Sequence, residues 1–218
     1  MPLTLVKFIE YCSANSEALA GAIRDHILIL VVLPVSLASL IAVPMGIMCT
    51  RVRWLETGAL GIMGVIQTIP SLALLAFMIT LGLGIGFKPA VAAILLYAIL
   101  PILRNTYTGI KSVDASMKEA ARGMGMTDLQ CLVLVEFPIA LPVILAGVRT
   151  SLITSIGTGT LAAFIGGGGL GQFVITGMSM LKDHITLAGA VPAALLALSV
   201  DQVLNRLERA ITPRGLKI

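Results

Sequence analysis

The chain has 218 residues, of which 57% are hydrophobic and 12% charged, with a mean hydropathy of +1.01. A soluble domain carries about 25% charged residues, so this chain cannot coat a surface that faces water, and its apolar content excludes disorder. The net charge of +4 gives no sign of nucleic-acid binding; in a chain solvated by lipid, what informs is where the basic residues sit.

Residues 1–26 read as an N-terminal extracellular or interfacial segment. Lys7 and Glu10 precede any long apolar run, which does not fit a cleavable signal peptide. The first hydrophobic segment is therefore expected to stay as an anchor. Leu3–Ala22 alternates apolar residues with Glu10, Ser13, Asn15 and Glu17, as either an interfacial amphipathic helix or a frayed end would.

A transmembrane domain is expected over 27–204. A crossing helix takes roughly 20 apolar residues. Ile27–Cys49 is uncharged and forms the first expected span. Thr57–Phe87 is also uncharged, with a second span at 59–81 and a glycine-rich turn at Gly82–Phe87. The third span covers Pro89–Arg104, short enough for Lys88 and Arg104 to snorkel at its ends. A polar loop, 105–141, follows. The fourth span covers Pro142–Phe164 and is broken by Gly166–Gly169, with Gly166–Met180 as a loop or re-entrant piece. The fifth covers Ile185–Leu204, and 205–218 is a basic tail.

With the N-terminus outside and five crossings, the inner segments hold Arg51, Arg53, Arg104, Lys111, Lys118, Arg122, Arg206, Arg209, Arg214 and Lys217. The outer segments hold only Lys7, Arg24, Lys88 and Lys182. This asymmetry satisfies the positive-inside rule, and the reverse orientation violates it. The chain thus reads as an all-α polytopic membrane protein, N-out and C-in, with the 105–141 loop in the cytoplasm.

Within that loop, Asp114–Pro142 reads DASMKEAARGMGMTDLQCLVLVEFPIALP. KEAAR favours helix, and Gly123 and Gly125 stop it. Thr127 suits an N-cap, with Gln130 completing a capping box and Asp128 in the first turn. The pattern is helix, tight turn, helix. Taken alone, it fits a plain connecting hairpin as well as a functional one.

The spacing resembles something more specific. The membrane permeases of ABC importers carry Glu-Ala-Ala, three residues, Gly, nine residues, Ile, any residue, Leu, Pro. Here Glu119, Ala120 and Ala121 are followed at the same intervals by Gly125, Val135, Phe137 and Pro138, with Val and Phe replacing Ile and Leu. IQTIPSLALLAF at Ile66–Phe77 and AFIGGGGLGQ at Ala163–Gln172 are similar to further signatures of these permeases, and Asp25–Ile47 is similar to the first span of those that import osmoprotectant quaternary amines. The resemblance implies the type I importer permease architecture. It also implies a hairpin that docks on a separate ATPase, with Glu119, Ala120, Ala121, Gly125, Asp128, Leu129 and Pro138 as its coupling residues. The implied partners are two ATPase subunits that bind ATP and Mg, a second permease copy or homologue, and an extracellular substrate-binding protein or lipoprotein. The implied setting is the bacterial inner membrane.

The chain has no nucleotide-binding GxxxxGK[ST] and no catalytic constellation, so it reads as a non-catalytic transport subunit without a cofactor of its own. Cys12, Cys49 and Cys131 and the solitary His26 and His184 offer no metal-ligand spacing. Gln67, Thr68 and Pro70 fall near the middle of the second span, where they line a translocation path or bond neighbouring helices. Ser151, Thr154, Ser155, Gly157, Thr158 and Gly159 give the fourth span a small polar face, suited to close packing or a wet lining; Ser155 and Thr158 are the path candidates there. Arg149 and Asp201 fall at similar depth, where they either pair or lie separately at the interface. With one Trp and three Tyr, the chain is poor in the aromatic groups that best hold a quaternary ammonium. Selection by the binding protein is therefore expected. The cargo implied is glycine betaine, carnitine or choline; the alternatives are an amino acid such as methionine or, in another class, ion-coupled secondary transport.

Overall fold

A computed structural model describes residues 2–211, and every regular element among them is a helix. In chain order these are α1 (Pro2–Ala14), α2 (Ser16–Arg51), α3 (Arg53–Thr68), α4 (Ser71–Leu83), α5 (Phe87–Lys111), α6 (Ala115–Gly123), α7 (Asp128–Ile165), α8 (Gly171–Ser179) and α9 (Asp183–Ile211). Four of them, α2, α5, α7 and α9, are each long and apolar enough to cross a membrane. α3 and α4 pass the same test together but are bent by 101° at Ile69–Pro70. The α3–α4 pair runs the whole length of α5. Glu56 meets Tyr107 near the Lys111 end, Gln67 and Ile69 meet Tyr97 midway, and Gly86 beyond Leu83 leads into Phe87. It is one broken span, which makes five.

α5 is the central post, and small residues bring its neighbours close. A Cβ on Gly46 of α2 would stand 2.7 Å from Thr106 Cβ, and one on Gly147 of α7 would stand 2.8 Å from Pro101 O. Ser151 adds a hydroxyl bond to Ala98 O at 2.8 Å. Without a hydrophobic force between helices in lipid, such close backbone approach and interhelical bonding carry the packing. The core around α5 is mainly apolar, from Leu75 and Ile94 through Ala38, Ile102 and Leu103 to Ile110 and Ile144, with Thr106 and Ser151 as buried polar members.

Three helices widen into a π turn, His26–Val32 in α2, Ile79–Leu83 in α4 and Leu132–Glu136 in α7. The first and the third lie just ahead of a proline, Pro34 and Pro138. A proline ring clashes with the carbonyl four residues back and offers it no N–H, which favours such a widening, although Pro44, Pro101 and Pro192 sit in α-helical stretches without one.

Several sequence expectations shift. The helix that carries the first span begins ahead of Ile27, at Ser16: α2 is 36 residues long, about 54 Å at 1.5 Å per residue, and extends past a bilayer core of about 30 Å. The N-terminal segment is two helices divided at Asn15, and α1 packs on α9 through Tyr11 and His184, whose rings lie 5.8 Å apart. The loop contracts at both ends, because α5 continues to Lys111 and α7 starts at Asp128 and passes through Pro138 and Pro142 unbroken. Gly166–Met180 contains a helix, α8, of nine residues; at about 13 Å it is too short to cross. Arg214 and Lys217 of the basic tail lie outside the described residues.

Candidate functional site

The hairpin of α6 and the first turns of α7 projects from the basic end of the bundle. Asp114 caps α6 by accepting from Ser116 N at 2.8 Å, and that backbone N–H holds its carboxyl below the usual range. α6 ends in a Schellman closure: Met126 N bonds Ala121 O at 3.2 Å and Gly125 N bonds Arg122 O at 2.9 Å. Gly125 takes φ +84° there, which glycine adopts without a Cβ penalty. Thr127 and Gln130 form the reciprocal capping box that starts α7. Arg122 bridges the turn to Asp128 at 3.0 Å; both groups are exposed, so the pair contributes at most about 1 kcal/mol.

The coupling candidates divide by position. Glu119, Ala120, Gly125, Asp128, Leu129 and Pro138 are exposed, and Glu119 makes no ion pair with any described residue. Ala121 is only 1% exposed and lies in the hairpin's own interior, so its small size serves the packing of the two arms rather than a partner's approach. Around the exposed candidates lies apolar surface: Leu129 is 69% exposed, and Met117, Met124, Val133 and Leu134 are also open. An apolar patch outside the spans marks an interaction surface.

The same end of the bundle is cross-braced. Arg51, the last residue of α2, gives Nη2 to Glu136 Oε2 at 2.6 Å, and Glu136 is 1% exposed. Glu56 of α3, Tyr107 and Lys111 of α5 form a chain of hydrogen bonds. Lys118 of α6 donates to Ile110 O at 3.3 Å, capping the end of α5. Arg149 Nε and Nη2 both reach Asp201 Oδ1, at 2.7 and 2.6 Å, and Nη1 lies 3.6 Å from Glu208 Oε2. Asp201 and Glu208 are seven residues apart on α9, two helical turns along one face. Asp201→Asn is expected to lower the stability of the α7–α9 contact by about 1–2 kcal/mol. Thermal unfolding in detergent tests this; an unchanged midpoint would show that the pair does not hold the helices together.

The path candidates of the second span meet at its break. Ile69 and Pro70 are extended, Tyr97 OH donates to the freed Ile69 O, and Gln67 Nε2 donates to Tyr97 O at 3.0 Å. Thr68 bonds Val65 O at 2.7 Å, and Gln67, Thr68 and Pro70 are exposed on the chain. The small polar face of α7 splits in two. Ser151, Ser155 and Gly159 point into the chain, and Ser155 at 2% exposure touches no open surface in this conformation, contrary to its expected place on a path. Thr150, Thr154 and Gly157 face outward, and Thr158 is half-buried with its hydroxyl on Thr154 O at 3.0 Å. Among the described residues no cluster of His, Cys, Asp or Glu is arranged to hold a metal.

Sequence reasoning missed Arg51, Glu136, Tyr97 and Glu208 as members of these arrangements. Glu136 stood only as the free position of the coupling motif, and nothing local shows that it is buried. His26 was also passed over: it is buried with Nε2 3.2 Å from Ile156 O and packs against Gly159 and Gly169.

A five-span helical bundle that presents a stiff apolar hairpin at its basic end is an importer permease in architecture. Residues 42–213 match the binding-protein-dependent transport system inner membrane component, and the chain belongs to that family. It is 45% identical over 209 residues to the choline transport system permease protein OpuBB of Bacillus subtilis, covering 96% of this chain and 95% of that protein. It is 43% identical over 211 residues to the glycine betaine/carnitine/choline transport system permease protein OpuCB of the same organism, covering 97% and 96%. It is 45% identical to the osmoprotectant import permease protein OsmW of Salmonella typhimurium, covering 96% and 99%. The fold matches the MetNI methionine ABC transporter in an inward-facing conformation with TM-score 0.81, at 23% identity over 89% of this chain and 96% of that one. The chain is therefore a multi-pass inner-membrane transport component.

Proposed function

We propose that this chain forms the translocation path of an ATP-driven importer for quaternary-amine compatible solutes such as glycine betaine, carnitine or choline. The observation that carries the reading is the 43–45% identity, over nearly the full length of both chains, to permeases of choline and of glycine betaine, carnitine and choline. The likeness to a methionine transporter at 23% identity carries the fold alone.

In this reading two separate ATPase subunits hold ATP and Mg and receive the hairpin of each permease, a second permease copy or homologue completes the path, and an extracellular binding protein selects the cargo. The composition agrees with selection outside this chain: its one tryptophan, Trp54, is 77% exposed at the basic end, where it cannot help enclose an ammonium within the bundle. Closure of the ATPases displaces both hairpins. Because each hairpin continues into α7 without a break, its motion reaches the spans directly. Gln67, Thr68 and Pro70 at the α3–α4 break, together with Thr158, present polar groups to the path.

The test is uptake of labelled choline, carnitine, glycine betaine and methionine by the complex in proteoliposomes, with and without ATP inside. ATP-dependent uptake of one or more amines is expected. Uptake of methionine alone would reassign the cargo, and uptake by this chain alone without ATP would make it a secondary carrier.

A further inference from the structure

Glu136 is the only acidic residue among the described ones that is fully buried, and its partner comes from another span 85 positions earlier. It ends the π turn inside α7, between the hairpin arm and the rest of that helix, while Arg51 ends α2 and is followed by extended Val52 and then α3. The pair therefore joins the hairpin–α7 junction to the corner between the first and second spans. α2 and α7 also pack on α5 through the interior around Ile110, Ala140 and Ile144, with Val43 and Ile47 of α2 and Leu132 and Phe137 of α7 against it.

We propose that Glu136 is a positioning residue for ATP-driven transport: paired with Arg51, it makes the first and second spans move with the hairpin. This rests on the reading that the hairpin docks on an ATPase. The physics favours a strut over a hinge. A buried carboxylate that loses its guanidinium is left uncompensated, which is strongly unfavourable, so the two ends travel together through the cycle. Apolar contacts are non-directional, whereas the ion pair fixes one atom of α2 against one of α7. The bond is short and charge-assisted, and Arg51, partly exposed, keeps its remaining N–H groups free for water. The other connections of the hairpin reach α5, through the Lys118 cap, and α7, through the continuous helix. Arg51–Glu136 extends the set to α2 and, through Val52, to α3.

The experiment uses the full complex, permease with its ATPase and binding protein, in proteoliposomes. It measures solute imported per ATP hydrolysed, alongside disulfide crosslinking of Leu129→Cys to a cysteine on the ATPase. In Glu136→Gln and Arg51→Gln, crosslinking and ATP hydrolysis are expected to persist while solute per ATP falls about fivefold or more. The double variant is expected to be no worse than either single one, because both remove the same link. Arg51→Lys keeps the charge, so it is expected to restore part of the ratio, and the difference between Arg51→Gln and Arg51→Lys supplies the readout if Glu136→Gln does not fold. Unchanged solute per ATP in both single variants, with crosslinking intact, would overturn the strut. Additive losses in the double variant would do the same. Failure of Leu129→Cys to crosslink in the otherwise unaltered complex would instead remove the docking reading beneath it.

Discussion

Gly125→Asp is expected to stop uptake while leaving the amount of inserted permease unchanged. A Cβ at this position has no atom within 4 Å, so the substitution meets no clash inside the chain. The strain at φ +84° is about 1–2 kcal/mol for an L-residue, less for aspartate, which tolerates this region better than most. That is too little to unfold a bundle whose hairpin is fixed by a capping box, a Schellman closure and a helix that runs on into the membrane. The damage falls outside the chain. The new carboxylate stands at the tip of the turn, where a docking partner would have to bury it unpaired. An interface penalty of about 3 kcal/mol lowers occupancy about 100-fold. Uptake rate against membrane protein level, by immunoblot, is the measurement. Normal uptake at normal level would show that the tip of the hairpin takes no part in transport.

Gly171→Ala is expected to have the opposite character: little or no folded protein, whatever the partner does. A Cβ at Gly171 would lie 2.0 Å from Thr160 O and 2.7 Å from its carbonyl carbon. Both are backbone atoms of α7, so no side chain can rotate away. Neighbouring contacts repeat the constraint, since a Cβ on Gly177 would lie 2.3 Å from Thr186 N, and one on Gly189 would lie 2.5 Å from Leu170 O. α8 is thus pressed between α7 and α9 at glycine distance on both sides. A forced separation there exceeds about 4 kcal/mol, the range of exceptional single substitutions. The recovery of monodisperse protein after detergent extraction checks it, with Gly123→Ala as the control, because Gly123 has open space around it. Equal recovery of the two variants would show that α8 does not pack this tightly.

The contrast between these glycines explains what the sequence shows and what it hides. Gly125 is legible because its environment is local: a helix former before it, Thr127 and Gln130 after it, all in one short stretch of chain. The number of spans is legible for a similar reason, since hydropathy acts through the bilayer and needs no partner. Gly171 sits in an uncharged stretch that reads equally well as loop or re-entrant segment, and its demand comes from Thr160 O on a different helix. Arg149 and Asp201 could be placed at equal depth by counting residues along two spans; Arg51 and Glu136 could not, because Glu136 falls where the hydropathy pattern reads as loop. The break at Ile69–Pro70 shows both cases at once. Proline announces a bend, but an angle of 101° depends on Tyr97 reaching the freed carbonyl from α5. The unbroken continuation of α2 and α7 beyond the membrane escapes a span-by-span hydropathy reading: helix is legible at both outer ends, but its continuity with the span is not.

The wide turn at Leu132–Glu136 has a geometric corollary. It acts as one residue inserted into an otherwise regular screw, and each residue of an α-helix advances the azimuth by about 100°. Leu129 and Val133 therefore point about 100° away from the compass bearing they would have on a plain helix continuous with Gly147 and Ser151. The bearing of the hairpin relative to the span thus depends on this one turn and not only on the composition of the tip.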